Sequence, residues 1–139
     1  MIRKFKECDT TKVMTLWTKG NFKANYFIDK DYWLLNFNKF KDSLRKAETY
    51  LYYQGDDVLG FISILPQDIL SAIFVREDSQ RSGIGKQLVN YCKNLCSSLS
   101  LEVFEKNISA VLFFNAVGFK NVGIKLDADT RRKKVYNAV

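Results

Sequence analysis

A mixed α/β fold built on one sheet is predicted by three features of this sequence. Several short apolar segments alternate with polar residues as half-buried strands do, and others carry apolar side chains three and four positions apart, as amphipathic helices do. One apolar strand, Ile69–Val75, runs into a glycine-containing turn and then a helix. The predicted order is β-α-α-β-β-β-α-β-α-β-β, and a length of 139 residues favours a single domain, residues 1–139.

The first half of the chain is predicted as a strand, two helices and a hairpin. The strand is Ile2–Lys6, the first helix starts at Asp9 or Thr10 and ends near Gly20, and the second starts at Asp29 or Asp31. The hairpin pairs Glu48–Gln54 with Val58–Leu65 across a Gly-Asp-Asp turn. The apolar stripe expected on the second helix consists of Tyr32, Leu35, Phe37, Phe40 and Leu44.

The second half continues from the strand Ile69–Val75 into a strongly periodic helix. A strand Ser100–Glu105 follows, then a helix that starts at Asn107 or Ser109 and stops at Gly118. Two further strands, Phe119–Leu126 and Lys134–Val139, enclose a basic hairpin turn, Arg131–Lys134, that we expect to be solvated. The apolar face of the periodic helix is expected to consist of Ile84, Leu88, Tyr91, Cys92, Leu95 and Leu99.

Composition limits the possible functions. A net charge of +7 favours an anionic partner, although solubility alone could explain it. The absence of histidine excludes Ser-His-Asp and Cys-His catalysis, and three cysteines without histidine are too few ligands for zinc, so we expect no metal. No apolar run approaches the ~18 residues of a membrane span, and the N-terminal residues lack the apolar core of a signal peptide. We therefore expect a cytoplasmic protein with no membrane partner.

The turn Gln80–Gly85 is a candidate phosphate site. Backbone N–H groups at the start of a helix lack internal partners, and glycines at 83 and 85 allow an anion to come close. Arg81 and Lys86 add positive charge. A Walker A loop is excluded because Gln87 replaces its Ser/Thr, and a dinucleotide fingerprint is excluded because Leu88 replaces its third glycine.

Two motifs together identify a family. The turn reads Q-R-S-G-I-G, and Leu101–Phe119 reads L-E-V-F-E-K-N-I-S-A-V-L-F-F-N-A-V-G-F. In this order and spacing they resemble the coenzyme-binding motifs of the GNAT superfamily of N-acetyltransferases, in particular its small bacterial single-domain members of the YiaC and YjaB kind. The resemblance covers about residues 2–126. It implies a GNAT fold, acetyl-CoA as co-substrate and transfer of an acetyl group to a primary amine, on a small molecule or a protein.

The resemblance also implies roles for individual residues. Backbone groups of Phe74 and Val75 would bind the pantetheine arm, and Asn107 would bind pantetheine or an ordered water. The helix that follows, with Phe113, would pack against the coenzyme. The pyrophosphate would be held by Gln80, Arg81, Ser82, Gly83, Ile84, Gly85 and Lys86.

One departure from the family concerns catalysis. The family usually has a tyrosine at the position of Phe114 that protonates the departing thiolate, and a phenylalanine cannot do this. Water, Tyr53 or Tyr136 could supply the proton instead. A general base is also needed for a lysine acceptor, because its ordinary pKa is about 10.4. Glu102 is the candidate, whereas Glu105 is out of phase with it on the strand.

Several alternatives remain open at this stage. The change at Phe114 allows a non-catalytic or weakly active module that only binds acyl-CoA. The charge allows a nucleic-acid partner, which is the less favoured reading because no RNA-binding motif supports it. The acceptor, the acyl chain and the choice between monomer and homodimer are undetermined. Phe22, Tyr26, Phe27 and Trp33 could line an apolar acceptor slot.

Overall fold

A seven-stranded sheet forms the centre of the protein, and the computed structural model describes all 139 residues around it. The strands lie side by side in the order β1-β2-β3-β4-β5-β7-β6. This architecture confirms the predicted mixed α/β fold and its element order. The strands are β1 (Ile2–Lys4), β2 (Glu48–Gln54), β3 (Asp57–Leu65), β4 (Ile69–Val75), β5 (Ser100–Phe104), β6 (Lys120–Leu126) and β7 (Lys133–Ala138), and the helices are α1 (Thr10–Ala24), α2 (Lys30–Ser43), α3 (Ile84–Leu95) and α4 (Ile108–Ala116).

The sheet is nearly divided in two between β4 and β5. These strands are parallel and pair at one position, Ile69 with Ser100, where Ser100 N donates to Asp68 O at 3.1 Å. Beyond this pair β4 and β5 do not pair, and an opening between them extends toward Val75 and Phe104. We call this opening the gap. All other neighbouring strands are antiparallel and pair over three or more residues.

Each face of the sheet carries its own apolar core. α3 and α4 cover one face through Ile84, Leu88, Val89 and Phe114. α1 and α2 cover the other through residues that include Val13, Trp17 and Trp33, and we call it the α1/α2 face. Phe104 of β5 belongs to the second core, so Glu102, two residues earlier, points to the α1/α2 face as well. None of the four helices has the length and apolarity that crossing a membrane requires.

α1 is longer than the sequence predicts. It continues through Gly20 to Ala24, because this glycine meets a neighbouring strand rather than ending the helix. A Cβ atom at position 20 would lie 2.2 Å from the ring of Phe74, so glycine is the residue that lets α1 pass over β4. Asp9 precedes the helix but does not cap it with its side chain. Its carboxylate accepts hydrogen bonds from both Arg3 Nη atoms at 2.8 Å instead.

Two predicted apolar stripes are only partly correct. On α2, Asp29 caps the helix as expected, but Leu35 is 83% exposed. Trp33 takes the core position, and a residue two places further along lies about 200° around the helix. On α3, Tyr91 and Leu95 are exposed at the edge of the core, and Leu99 is buried beyond the end of the helix.

Candidate active site

The turn between β4 and α3 leaves a series of backbone donors free. A short 3₁₀ turn, Glu77–Ser79, leads to Arg81 and Gly83, which have φ values of 64° and 88°. The first backbone bond of α3 runs from Gln87 N to Gly83 O at 3.0 Å. The N–H groups of residues 81–86 donate in none of the turn, cap or side-chain hydrogen bonds. Six consecutive donors at a helix N-terminus therefore remain available to an anion.

Side chains brace this loop and neutralise its acidic residues. Gln80 Nε2 donates to Val75 O at 3.0 Å, and Ser82 Oγ donates to Ser79 O. The carboxylates that precede the loop are already paired, because Asp78 Oδ1 accepts from Arg76 Nε at 2.6 Å and Glu77 pairs with Lys23. Arg81 and Lys86 form no ion pair. Their charge adds to that of the helix N-terminus.

Gly85 is required because α4 comes close to the loop. A Cβ atom at this position would lie 3.1 Å from Phe113 Cζ and 3.9 Å from Val75 Cγ2. Phe113 therefore packs on the first turn of α3, and its expected packing against the coenzyme itself stays a prediction. Ile84 points the other way and is buried in the core. The loop is consequently fixed from both sides by packing.

The gap exposes unpaired backbone groups on both of its walls. Arg76 N donates to Leu59 O, so by the antiparallel alternation Phe74 bonds to β3, and the N–H and C=O groups of Ile73 and Val75 point into the gap. Of the two residues expected to offer backbone groups, Val75 offers its N–H group, because its C=O already accepts from Gln80 Nε2, and Ile73 takes the place of Phe74. On the opposite wall, Glu105 N donates to Lys133 O, so every second residue of β5 bonds to β7. Glu102 is one of the residues in between, and its N–H and C=O groups therefore point into the gap.

Asn107 lies where β5 ends and α4 begins. Its Oδ1 atom accepts from Ala110 N at 3.3 Å, which makes it the helix cap, and its Nδ2 atom donates to Asn25 Oδ1 at 3.2 Å. The predicted start of this helix at Asn107 is thus confirmed. The contact with Asn25 was not predicted, because no pattern in a sequence links residues so far apart.

Phe114 is a core residue in this protein. It is 6% exposed, and its ring packs edge-on against Phe113 and Phe119 at centroid distances of 5.3 and 5.5 Å. Of the alternative hydroxyl groups, Tyr136 lies directly opposite Glu102 on β7 and shares its face of the sheet. Tyr53 lies on β2, with β3 between it and β4, and its ring is covered by Arg3.

Glu102 belongs to a charged cluster on the α1/α2 face. Lys134 Nζ lies 3.5 Å from Glu102 Oε2 and 3.4 Å from Asp127 Oδ1, and 4.8 Å from the centre of the Phe104 ring. Burial alone would raise the pKa of Asp127, but hydrogen bonds from Thr130 and the charge of Lys134 hold that pKa below its ordinary value. The prediction of a solvated turn at Arg131–Lys134 is wrong for Lys134, whose side chain is only 20% exposed.

An aromatic wall stands beside this cluster. Phe27 and Trp33 pack edge-on against Phe104 at 5.8 and 6.2 Å, and Arg132 Nη2 donates to Phe27 O at 3.2 Å. Two of the four residues expected to form an apolar slot, Phe27 and Trp33, therefore lie together. Phe22 lies instead under Lys30, and Tyr26 is 76% exposed. Phe104 and Lys134 were missed because each reads as an ordinary strand residue.

No thiol is placed for nucleophilic chemistry. Burial raises the pKa of the Cys92 thiol to about 12, and burial also raises the pKa of Cys96. Cys8 is the exposed one and lies in the 3₁₀ turn before α1. No group of three or more Cys, Asp or Glu side chains is placed to hold a metal ion.

Comparison with known proteins agrees with this geometry. The family model of the acetyltransferase (GNAT) domain matches residues 33–131. The chain belongs to the GNAT family. It is 31% identical to the peptidyl-lysine N-acetyltransferase YiaC of Escherichia coli strain K12, over 94% of this chain and 90% of that protein. This membership makes the chain an N-acetyltransferase that uses acetyl-CoA.

Solved structures show the same fold. The apo form of YjaB from Escherichia coli superposes with a TM-score of 0.86 at 23% identity, covering 99% of this chain and 95% of that one. YncA from Salmonella typhimurium, solved with its cofactor acetyl-CoA, superposes with a TM-score of 0.70 at 12% identity, covering 100% of this chain and 92% of that one. Because the chain belongs to the GNAT family and its relative YiaC is named an acetyltransferase, a non-catalytic binding module is not the favoured interpretation of Phe114.

Proposed function

We propose that this GNAT enzyme transfers the acetyl group to the side-chain amine of lysine in a polypeptide, by direct attack of the amine on the thioester. YiaC of Escherichia coli, at 31% identity, and YjaB of Salmonella typhimurium, at 28% identity, are both named peptidyl-lysine N-acetyltransferases. One observation in the structure carries the proposal. The free N–H groups of residues 81–86 lie just after β4, which forms one wall of the gap. Glu102, a carboxylate, lies on β5, which forms the other wall.

The residues present fit coenzyme A. The pyrophosphate would lie on the N–H groups of residues 81–86, with Arg81 and Lys86 supplying positive charge. The pantetheine arm contains amide groups, and these would hydrogen-bond to the free N–H and C=O groups of Ile73 and to the free N–H group of Val75, as a neighbouring strand would. Asn107 would donate from its side chain at the end of β5. Phe113 holds the loop in place by packing on Gly85.

Glu102 would act as the general base. A lysine amine is almost fully protonated at pH 7, because its ordinary pKa is about 10.4. The lysine ammonium would first pass one proton to the Glu102 carboxylate, directly or through water, and the free amine nitrogen would then bond to the thioester carbonyl carbon. The second proton lost from nitrogen would pass to solvent as the amide forms. Lys134 and Asp127 hold this carboxylate in place on the α1/α2 face. The aromatic wall of Phe27, Trp33 and Phe104 would receive the aliphatic part of the acceptor.

The departing thiolate would take its proton from solvent or from Tyr136. The carbon–sulfur bond breaks as the tetrahedral intermediate collapses, and sulfur leaves with the bonding electrons. A thiol with the ordinary pKa of about 8.5 is a fair leaving group near neutral pH. Phe114 therefore does not prevent the reaction. No enzyme thiol is needed, which agrees with the burial of Cys92.

The acceptor can be tested with two peptides. The first has a blocked N-terminus and one internal lysine, and the second has a free α-amine and no lysine. Incubation with acetyl-CoA followed by mass spectrometry should show enzyme-dependent acetylation of the first. Product on the second peptide alone would overturn the choice of lysine and would favour an α-amine acceptor.

Coenzyme binding can be tested separately by calorimetric titration. Gly83→Val should weaken binding of coenzyme A, because its φ of 88° is unfavourable for valine and a side chain would enter the loop. Gly55→Val is the matched control, since Gly55 also has a positive φ, 61°, in a hairpin turn with open space around it. Equal losses of binding in both variants would show that the loop is not the site.

A further inference from the structure

Three asparagine side chains form a hydrogen-bonded chain between α1 and α4. Asn107 Nδ2 donates to Asn25 Oδ1 at 3.2 Å, Asn25 Nδ2 donates to Asn21 Oδ1 at 2.9 Å, and Asn21 Nδ2 donates to Trp17 O at 3.0 Å. At the other end, Asn107 Oδ1 accepts from Ala110 N. We call this the amide chain.

The amide chain has one direction. Every amide oxygen in it accepts one bond and every amide nitrogen donates one, so turning any side chain over would place two donors or two acceptors against each other. Asn21 and Asn25 are 4% and 7% exposed, and water cannot readily replace a lost partner. The orientation of the Asn107 amide is therefore set from α1.

The amide chain crosses between the two faces of the sheet at the open end of the gap. Asn21 and Asn25 end the helix that packs on the α1/α2 face, whereas Asn107 begins the helix on the opposite face. Asparagine is a poor choice for a helix interior, so its use at position 21 calls for such a partner, whereas Asn25 is the C-cap residue of α1. Asn107 still has a second Nδ2 hydrogen, for which the protein offers no acceptor.

We infer that Asn25 is a positioning residue, which orients Asn107 so that its free N–H donates to the coenzyme. This rests on the proposed function, in which Asn107 contacts the pantetheine arm. Asn25 itself lies at the C-terminal end of α1 and precedes Tyr26 and Phe27 on the acceptor side. Asn25 thereby links the segment that carries Phe27 of the aromatic wall to Asn107 beside the gap.

The first test is the affinity for coenzyme A alone, measured by calorimetry. Asn25→Ala removes the oxygen that holds Asn107, and we expect the dissociation constant to rise about threefold to tenfold, as for one neutral hydrogen bond. Asn36→Ala is the matched control, because Asn36 Nδ2 donates to Tyr32 O at 2.7 Å in α2 without any link to Asn107.

A double-mutant cycle separates positioning from stability. Asn107→Ser keeps a helix cap but removes the amide donor. If Asn25 acts through Asn107, the variant with both Asn25→Ala and Asn107→Ser should bind coenzyme A no more weakly than Asn107→Ser alone. Additive losses, or unchanged affinity in a folded Asn25→Ala protein, would overturn the inference. Failure of the wild type to bind coenzyme A would instead reject the proposed function.

Discussion

The proposed coenzyme side and the proposed acceptor side of this protein are constructed in different ways. The coenzyme side uses backbone groups from one continuous stretch, residues 73–86, and its side chains serve mainly to hold that backbone. The acceptor side uses side chains from four separate elements, among them Phe27, Trp33, Glu102 and Lys134. Backbone N–H groups bind a phosphate whatever the side chains are. A site made of converging side chains, in contrast, can be altered by a single substitution. Under the proposed function, the fold determines which coenzyme binds, and individual side chains determine which acceptor binds.

The largest effect should come from distorting the backbone site. Gly85→Val would place a side chain against Phe113, whose ring already lies 3.1 Å from the position of a Cβ atom, and would shift the first turn of α3. Loss of two charge-assisted hydrogen bonds, at about 1.5–3 kcal/mol each, would weaken coenzyme A binding by about 10²–10⁴-fold. Calorimetry measures this. Gly123→Val, in open space on β6, should bind normally, and a tight-binding Gly85→Val would show that the loop tolerates displacement.

Removing the proposed base should affect the rate and spare binding. Glu102→Gln should lower kcat on a lysine peptide by about 10²-fold, the lower end of typical general-base contributions, with unchanged affinity for coenzyme A. Glu105→Gln is the control, because Glu105 is exposed and out of phase with Glu102 on the strand. A steady-state assay with a parallel titration distinguishes the two. An unchanged kcat would assign deprotonation to water or to another group.

Restoring the usual tyrosine should have a smaller effect. Phe114→Tyr should change kcat by less than about tenfold, because a thiol of ordinary pKa leaves readily without an acid. The site of Phe114 is buried among Phe113 and Phe119, so a hydroxyl without a partner should lower stability by about 1–3 kcal/mol. Steady-state kinetics measures the change in kcat, and thermal unfolding measures the loss of stability. A rate increase of a hundredfold would show that the missing proton donor limits the enzyme.

The smallest effect on either site should come from an ion pair that serves the fold alone. Hydrogen bonds from Arg3 lower the pKa of Asp9, so its ionised form stabilises the folded state above the ordinary carboxyl range, and that stability is lost as pH falls through the lowered pKa. Asp9→Asn should unfold at lower denaturant near pH 7, yet bind coenzyme A normally. The difference from wild type should shrink on acidification, whereas Asp56→Asn, in an exposed turn, should show no such difference.

The coenzyme side could be predicted from the sequence better than the acceptor side. The loop was readable because glycines at 83 and 85 and the helix after them lie in one segment of sequence. The sequence did not show that the backbone groups of Phe74 point to β3 rather than into the gap, because this depends on how β4 pairs with β3. Asn25 and Lys134 meet their partners only through the tertiary fold, and each is an ordinary residue for its element. Leu35 and Gly20 were misread because the packing of Trp33 and Phe74 decides which positions of α1 and α2 face the sheet.

The single pair between Ile69 and Ser100 has a consequence for how this chain can be divided. Residues up to Val75 form one half of the sheet and residues from Ser100 onward form the other, and the phosphate loop with α3 is the one covalent connection between them. The boundary between the two halves of the sheet and the proposed binding site of acetyl-CoA are therefore the same place. If the chain were cut between Leu95 and Ser100, the two fragments would contact each other along the gap. A ligand bound in the gap would then hydrogen-bond to both fragments, as an additional strand would, and hold them together.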